Sequence, residues 1–214
     1  MLGKKEADQI IAKRFGDRLG PLGFKWMGAK AGCFVRKREG GADMFAIGHV
    51  NYTTVQKISG TIGVRFERAE DIRDEALSQK KLPAVVTFSA QLGYFAGRLL
   101  EWECGSPEEL DDAIDEIFKT YLPKALEYYD RYRDPLAMLA KLDDTHGDQR
   151  FAFGDEMHLA IGALIIYWLW KRDGFEARLA ASHRRFANWD ADVVAPLDTV
   201  VTWLRAHPEL RGQS

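Results

Sequence analysis

Residues 58–67 read ISGTIGVRFE, and this stretch has the best two-residue periodicity in the chain. Apolar residues and glycine occupy the even positions, whereas mostly polar residues occupy the odd ones. Because successive side chains of a β-strand point to opposite faces, the alternation predicts a strand with one face in the core and one in water. We therefore expect Ile62, Val64 and Phe66 to be buried together and Arg65 to be exposed.

Shorter strand-like segments surround this run in the N-terminal half, and turns rich in glycine separate several of them. A helix precedes them, because apolar residues recur at helical spacing over residues 5–19 and Gly20-Pro21 follows. A short helix is expected over residues 69–77. Together these signals predict an antiparallel sheet of four to five strands within residues 24–104, covered by the N-terminal helix. The other strand candidates are residues 24–27, 33–38, 44–53, 85–88, 91–95 and 100–104.

The spacing of apolar residues changes from the two-residue period of a strand to that of a helix at Ser106-Pro107-Glu108-Glu109. Ser106 can cap a helix, proline suits its first turn, and Glu109 can reach back to the N–H of Ser106. An apolar stripe follows from Leu110 to Ala125, and Pro123 is expected to kink or break the helix because it lacks an N–H. Further helices are expected over residues 134–142, 156–171, 175–188 and 192–206.

This order of elements predicts the fold class. Strands followed by helices favour a segregated α+β arrangement, whereas a parallel βαβ fold would alternate them. We find no internal repeat and no linker long enough to divide the chain. The prediction is a single α+β domain over residues 1–214, sheet-rich over 1–105 and helical over 106–214.

Composition limits the class of protein. A hydrophobic fraction of 46% with 29% charged residues excludes a disordered or low-complexity chain. The net charge of −2 argues against a nucleic-acid partner. Cys33 and Cys104 are expected to be buried free thiols of a reducing cytosol. The longest apolar run, residues 159–170, is too short to span a membrane, and the N-terminus has no secretory pattern. These features predict a cytoplasmic protein that does not enter a membrane.

Acidic residues concentrate in the second half of the chain. Residues 1–105 carry 17 Lys and Arg against 12 Asp and Glu, whereas residues 106–214 carry 13 against 20. Helical periodicity places four carboxylates opposite the apolar stripe of the first helix of this half. We expect them to form either an ordinary solvated face or a docking face for a basic partner. The four residues are Asp111, Asp112, Asp115 and Glu116.

The N-terminal half contains a small patch of basic residues. Lys25, Arg36, Lys37 and Arg38 lie close together in sequence, near the aromatic Trp26. Phosphate groups could bind there. The alternative is a solvated hairpin end, because Glu39 and Asp43 dilute the positive charge.

Three residue pairs could carry chemistry. His49 and Asn51 share one face of a predicted strand and could position a substrate, or simply bond to each other. Asp155 and His158 have a spacing that suits one metal ion, but a helix cap explains Asp155 and a polar helix face explains His158 without any metal. Glu101 and Glu103 could act as paired carboxylates, but their alternation with apolar residues favours solvated side chains. No phosphate-binding loop, nucleophile elbow or zinc motif is present, and we predict no cofactor and no metal.

The opening of the chain resembles a known group of sequences. Leu19-Gly20-Pro21-Leu22-Gly23-Phe24-Lys25, then Phe34-Val35-Arg36, resembles a family of uncharacterised bacterial domains. Those domains open with a helix and an "LKPLGFK"-like turn before an antiparallel sheet, and some relatives look like immunity proteins of contact-dependent or polymorphic toxin systems. The resemblance covers residues 5–67, and it carries over no catalytic residue.

Two functions follow as hypotheses. The first is a non-catalytic bacterial protein-binding module that uses the acidic helical face, with an immunity-type neutraliser of a toxin as the form that the resemblance implies. The alternative is a hydrolase or metal-dependent small-molecule enzyme with a site near His49/Asn51 and Asp155/His158. The sequence leaves the oligomeric state open.

Overall fold

A computed structural model describes residues 3–29, 31–52, 55–80, 86–144, 156–170 and 173–212. It confirms the predicted fold class: an antiparallel sheet in the N-terminal half, an N-terminal helix and a helical C-terminal half. The strands are β1 (Lys25–Trp26), β2 (Cys33–Arg38), β3 (Gly41–Asn51), β4 (Gln56–Phe66), β5 (Phe88–Gln91) and β6 (Trp102–Cys104). The helices are α1 (Lys4–Leu19), α2 (Glu67–Ala76), α3 (Pro107–Glu116), α4 (Leu122–Tyr132), α5 (Pro135–Asp144), α6 (Glu156–Trp170), α7 (Phe175–Arg185) and α8 (Ala191–Ala206).

The sheet is built around β4. Strands β1 to β5 are neighbours in chain order, and every pairing is antiparallel. β5 pairs with the second half of β4, whereas β6 pairs with its first half. A 3₁₀ turn at Leu92–Ala96 replaces the strand predicted at 91–95. Leu92 packs against Gly60 of β4, where a Cβ would lie 2.4 Å from its Cδ1 atom, so any larger residue here would force Leu92 to move.

α1 covers one face of the sheet, as predicted. Phe15 of α1 is fully buried, with its ring 6.1 Å from that of Phe34 and 5.8 Å from that of Phe45, both in the sheet. On its other side the Phe15 ring lies 4.8 Å from that of Phe118, which follows α3. α1 is therefore sandwiched between the sheet and the first helices of the C-terminal half.

The side-chain burial predicted for β4 is confirmed on one face and wrong on the other. Ile62, Val64 and Phe66 are buried, as expected. Arg65 is buried too, because α2 begins directly after β4 and its carboxylates lie over the end of the strand. The Arg65 guanidinium donates to Glu67 at 2.8 Å. Local alternation could not reveal this, since the covering carboxylate lies on the next element.

The start of α3 also matches the prediction in most respects. Ser106 Oγ accepts from the backbone N–H of Glu109 at 3.2 Å, which confirms the cap. The Glu109 carboxylate, however, accepts from the N–H of Gly105 at 2.6 Å rather than from that of Ser106. The apolar stripe predicted from Leu110 to Ala125 is buried.

Pro123 does not break this helical segment. A π-helical turn at Ile117–Tyr121 precedes it, and the N–H of Leu122 donates to the carbonyl of Ile117. Pro123 therefore falls in the first turn of α4, where a backbone N–H has no regular hydrogen-bond partner within the helix, so its absence costs nothing. The buried apolar stripe that starts at Leu110 therefore continues through α4 to Tyr132.

Both cysteines are free and buried, as expected. Burial raises the pKa of the Cys33 thiol, and burial together with the nearby Glu109 raises the pKa of the Cys104 thiol to about 11. Within the described ranges, no helix combines the length and the apolar character needed to cross a membrane.

Candidate functional site

A pocket of about 470 Å³ lies where the edge strand β5 meets the C-terminal helices. We call it the β5–α7 pocket. Its walls come from β5, α5, α6 and α7, and Tyr94 and Tyr128 also line it. Its apolar surface includes Phe88, Met138, Leu159, Ala160 and Phe186.

Close packing of α6 on the sheet helps to position these walls. Gly162 of α6 lies against the residue that precedes β5, and a Cβ at this position would lie 2.9 Å from Thr87 Cγ2. Thr87 is itself fixed, since its hydroxyl accepts from the backbone N–H of Phe66 at 2.9 Å. With α6 held in this way, its first turns present Leu159 and Ala160 to the pocket.

The polar residues of the pocket are mainly cationic. Among the described lining residues there are four cations and one carboxylate, Glu156. The carboxylate of Glu156 pairs with Arg185, whose Nε and Nη2 atoms lie 3.1 and 3.0 Å from its Oε2 atom. The four cations are Lys141, Arg178, Arg184 and Arg185.

Hydroxyl groups complete the lining. Ser89 of β5 and Ser182 of α7 both line the pocket. Burial raises the pKa of the Tyr128 phenol, so this group remains neutral at physiological pH. The arrangement supplies apolar area, hydroxyls and positive charge, which suits the binding of a molecule with an apolar body and a polar end.

The predicted acidic face is divided by contacts with α1. Asp111 accepts from Arg14 at 2.5 Å, and Asp115 accepts from Arg18. Glu116 accepts from the indole N–H of Trp102 at 2.9 Å, whereas Asp112 is exposed. Two of the four carboxylates thus join α3 to α1, and the docking role of this face stays a prediction. The arginine partners were not visible to sequence reasoning, because they are about a hundred residues away.

The structure does not gather the predicted basic patch into one surface. Arg36 and Arg38 share a face of β2 and both turn onto the buried carboxylate of Asp43, at 2.8 and 3.2 Å. The Arg36 guanidinium also lies 4.8 Å from the centre of the Phe24 ring. Lys37 lies on the other face of β2, and both it and Lys25 are exposed. Phosphate binding at these residues stays a prediction, and the two arginines already have an internal anion.

His49 connects three elements. Its Nδ1 atom lies 3.1 Å from the Asp8 carboxylate of α1, and its Nε2 atom contacts the Gln56 side chain. Both ring nitrogens are therefore engaged by neighbouring side chains. Asn51 is paired with Gln56 in the sheet register, and its side chain lies outside the described residues.

His158 is held in a similar way. Its Nε2 atom donates to the carbonyl of Val86 at 2.9 Å, so Nδ1 is left to accept from Arg73 at 3.1 Å. Asp155, its predicted companion, lies outside the described residues. Across the described ranges, no group of three or more His, Cys, Asp or Glu residues could hold a metal ion.

Glu101 and Glu103 both contact Lys57. Their carboxylates lie 3.5 and 3.2 Å from its Nζ atom, and the hydrogen bond that Lys57 donates to Glu103 is the main reason that the pKa of Lys57 is raised. Both carboxylates are well exposed, as their alternation with apolar residues predicted.

Sequence reasoning missed the β5–α7 pocket altogether. The only local signal was the run His183-Arg184-Arg185 before Phe186 at the end of α7, where cations adjoin an aromatic residue. Comparisons with family models, curated proteins and solved structures found no match for this chain.

Proposed function

We propose that this protein is a non-catalytic binding module whose ligand is a small organic molecule held in the β5–α7 pocket. The observation that carries the proposal is the pocket itself, an apolar cavity with a polar rim formed by a strand and three helices. Ligand sites in proteins are mostly concave and apolar with a few convergent polar groups, and their volumes run from about 300 to 1,000 Å³.

The volume sets the size of the ligand. One water molecule takes about 30 Å³ of the liquid, so about 470 Å³ has room for roughly 15 non-hydrogen atoms. Met138 and Leu159 provide flexible side chains that can adapt to an apolar body. Tyr94 and Tyr128 add flat ring surfaces with hydroxyl groups.

Filling the pocket tests the proposal. Ala181 of α7 lines the cavity, whereas its neighbour Ala180 is exposed. The probe is N-phenyl-1-naphthylamine, a neutral dye whose fluorescence rises in apolar surroundings. We expect the wild-type protein to bind it with a Kd below about 100 µM, which corresponds to about 5.5 kcal/mol. Ala181→Phe should weaken binding at least about tenfold, because the new ring occupies the ligand's space.

Ala180→Phe is the matched control, since it adds the same ring to the same helix outside the cavity. It should bind the dye as the wild type does, and circular dichroism should show that both variants are folded. Equal binding by the wild type and Ala181→Phe would show that the dye binds elsewhere. Absence of binding by the wild type would equally reject the pocket as the site.

A second candidate is a protein partner that docks on the outer face of α3. Glu108, Asp112 and Asp115 are exposed at spacings of four and three residues, so they form one stripe, in which Asp115 is already paired with Arg18. The backbone N–H of Glu108 and the Ser106 hydroxyl lower the pKa of the Glu108 carboxyl, which keeps this end of the stripe charged. Such a stripe would steer a basic partner, and an immunity-type neutraliser is the form favoured by the resemblance of residues 5–67.

The partner to test is the purified product of the adjacent gene. Glu108→Lys with Asp112→Lys should weaken its binding at least about tenfold at low salt, and less at high salt, where surface charges are screened. Glu127→Lys is the control, because Glu127 is an exposed acid of α4 outside the stripe. Unchanged binding by the double variant would reject docking on the α3 face.

A further inference from the structure

Tyr128 and Tyr129 are neighbours in α4, but only one of their hydroxyl groups is hydrogen-bonded. The Tyr129 hydroxyl donates to the backbone carbonyl of Met44 at 2.5 Å. Tyr128 is 8% exposed, and its ring packs edge to face against those of Tyr94 and Tyr132. Its hydroxyl donates to no atom of the residues that the structure describes. Tyr128 thus brings a donor without an acceptor to the lining of the β5–α7 pocket.

Such a donor is unusual in a folded protein. Buried tyrosine hydroxyls generally find a partner, because an unmade hydrogen bond in apolar surroundings costs free energy. Tyr129 follows this rule through Met44, whereas the part of the chain that the structure describes offers Tyr128 no acceptor. A molecule inside the cavity, whether ligand or water, is left to supply it.

We propose that the ligand of the β5–α7 pocket is a ring compound with a carbonyl oxygen, and that this oxygen accepts a hydrogen bond from the hydroxyl of Tyr128. The inference rests on the proposed function, because it assigns a chemical class to the ligand of the same site. It adds an orientation that apolar contact alone does not require, since the carbonyl end of the ligand has to meet α4.

The chemistry of the phenol favours a carbonyl group. Burial raises the pKa of Tyr128, so the proton stays on the oxygen and the group remains a donor. A carbonyl oxygen has two lone pairs and no proton, which complements such a donor. A ligand that carries only donors would bond to the phenol oxygen and leave the O–H of Tyr128 unpaired.

Aromatic rings favour a flat body for the ligand. Phe88, Tyr94 and Phe186 line the pocket together with Tyr128. Aromatic rings attract one another in offset-stacked and edge-to-face arrangements, beyond the effect of the area that they bury. A volume of about 470 Å³ has room for roughly 15 non-hydrogen atoms, which corresponds to two or three fused rings.

The experiment compares 9-fluorenone with fluorene as competitors of N-phenyl-1-naphthylamine. The two molecules share a flat body of three fused rings and differ in one carbonyl oxygen. The wild type should bind 9-fluorenone at least about twofold more tightly than fluorene. Tyr128→Phe removes only the hydroxyl, so it should weaken 9-fluorenone about fivefold and leave fluorene within about twofold.

Tyr129→Phe is the matched control. It removes a hydroxyl from the next residue of the same helix, and Tyr129 does not line the pocket. Both affinities should therefore stay within about twofold of those of the wild type. Circular dichroism should show that both variants are folded.

Thermal unfolding without any ligand gives a second measurement. Tyr129→Phe should lower the melting temperature by about 2–4 °C, because the carbonyl of Met44 loses its donor. Tyr128→Phe should change it by less than about 1 °C, because its hydroxyl has no bond within the described residues to lose. Equal falls in the two variants would show that the protein itself holds the Tyr128 hydroxyl, and would overturn the inference.

The binding outcomes separate this inference from the proposed function. Unchanged binding of 9-fluorenone by Tyr128→Phe would show that water pairs with the hydroxyl, which overturns the inference and leaves the pocket as a binding site. Equal weakening of 9-fluorenone and fluorene would show that the ring of residue 128 has moved, and that too overturns the inference. If the dye does not bind the wild type at all, the proposed function fails, and this inference fails with it.

Discussion

Replacing Asp43 with Asn tests how the basic residues of β2 are used. Asp43 is 2% exposed, and its carboxylate contacts the guanidiniums of Arg36 and Arg38 at 2.8 and 3.2 Å. Asn keeps the size of the side chain and removes the negative charge. Breaking a buried ion pair by removing one partner costs about 3–5 kcal/mol. The two arginine side chains are 26% and 18% exposed, so water can partly replace the carboxylate. We therefore expect the low end, a loss of about 3 kcal/mol.

Urea denaturation measures this loss. With a slope of about 2 kcal/mol per molar urea, the midpoint should fall by about 1.5 M. For a chain of this length the melting temperature should fall by about 6–12 °C. Asp130→Asn is the control, because Asp130 is an exposed acid of α4, and it should change stability by less than about 0.5 kcal/mol.

A loss below about 1 kcal/mol in Asp43→Asn would contradict a stabilising role for the pairs of Asp43 with Arg36 and Arg38. It would mean that Arg36 and Arg38 are solvated and gain little from the carboxylate. They would then be free to act with Lys25 and Lys37 as the basic patch that the sequence suggested. A large loss would instead show that two of these four cations serve the fold.

Two further predictions concern the C-terminal half. In chemical denaturation, Ser106→Ala should lower the free energy of unfolding by about 1 kcal/mol, because the cap is a single hydrogen bond. Leu110→Ala should lower it by about 2–5 kcal/mol, because Leu110 is fully buried. A larger loss in Ser106→Ala than in Leu110→Ala would contradict the packing of α3. The raised pKa of Cys104 favours the neutral thiol in the folded state, so its contribution to stability is complete below pH 9 and is lost as the pH rises towards about 11. Cys104→Ala should flatten the decline of unfolding free energy over that range, and an unchanged decline would show that the thiol is not its source.

Elements whose signals are local could be predicted from the sequence. Alternation predicted the buried face of β4, because the period of a strand is a property of its own backbone. Ser106 and Pro107 predicted the start of α3 for the same reason, since a cap involves only neighbouring residues. The change from strands to helices near residue 105 was enough to predict the fold class.

The partner of each charged side chain, by contrast, depends on the tertiary structure. Arg65 was expected in water and is buried under α2, and Asp111 meets Arg14 from the other end of the chain. The β5–α7 pocket is the clearest case, because Phe88 and Arg185 line one cavity although they are far apart in sequence. Periodicity shows which face of an element is apolar. The element that covers this face depends on how all of them pack together, and no local pattern of residues encodes that.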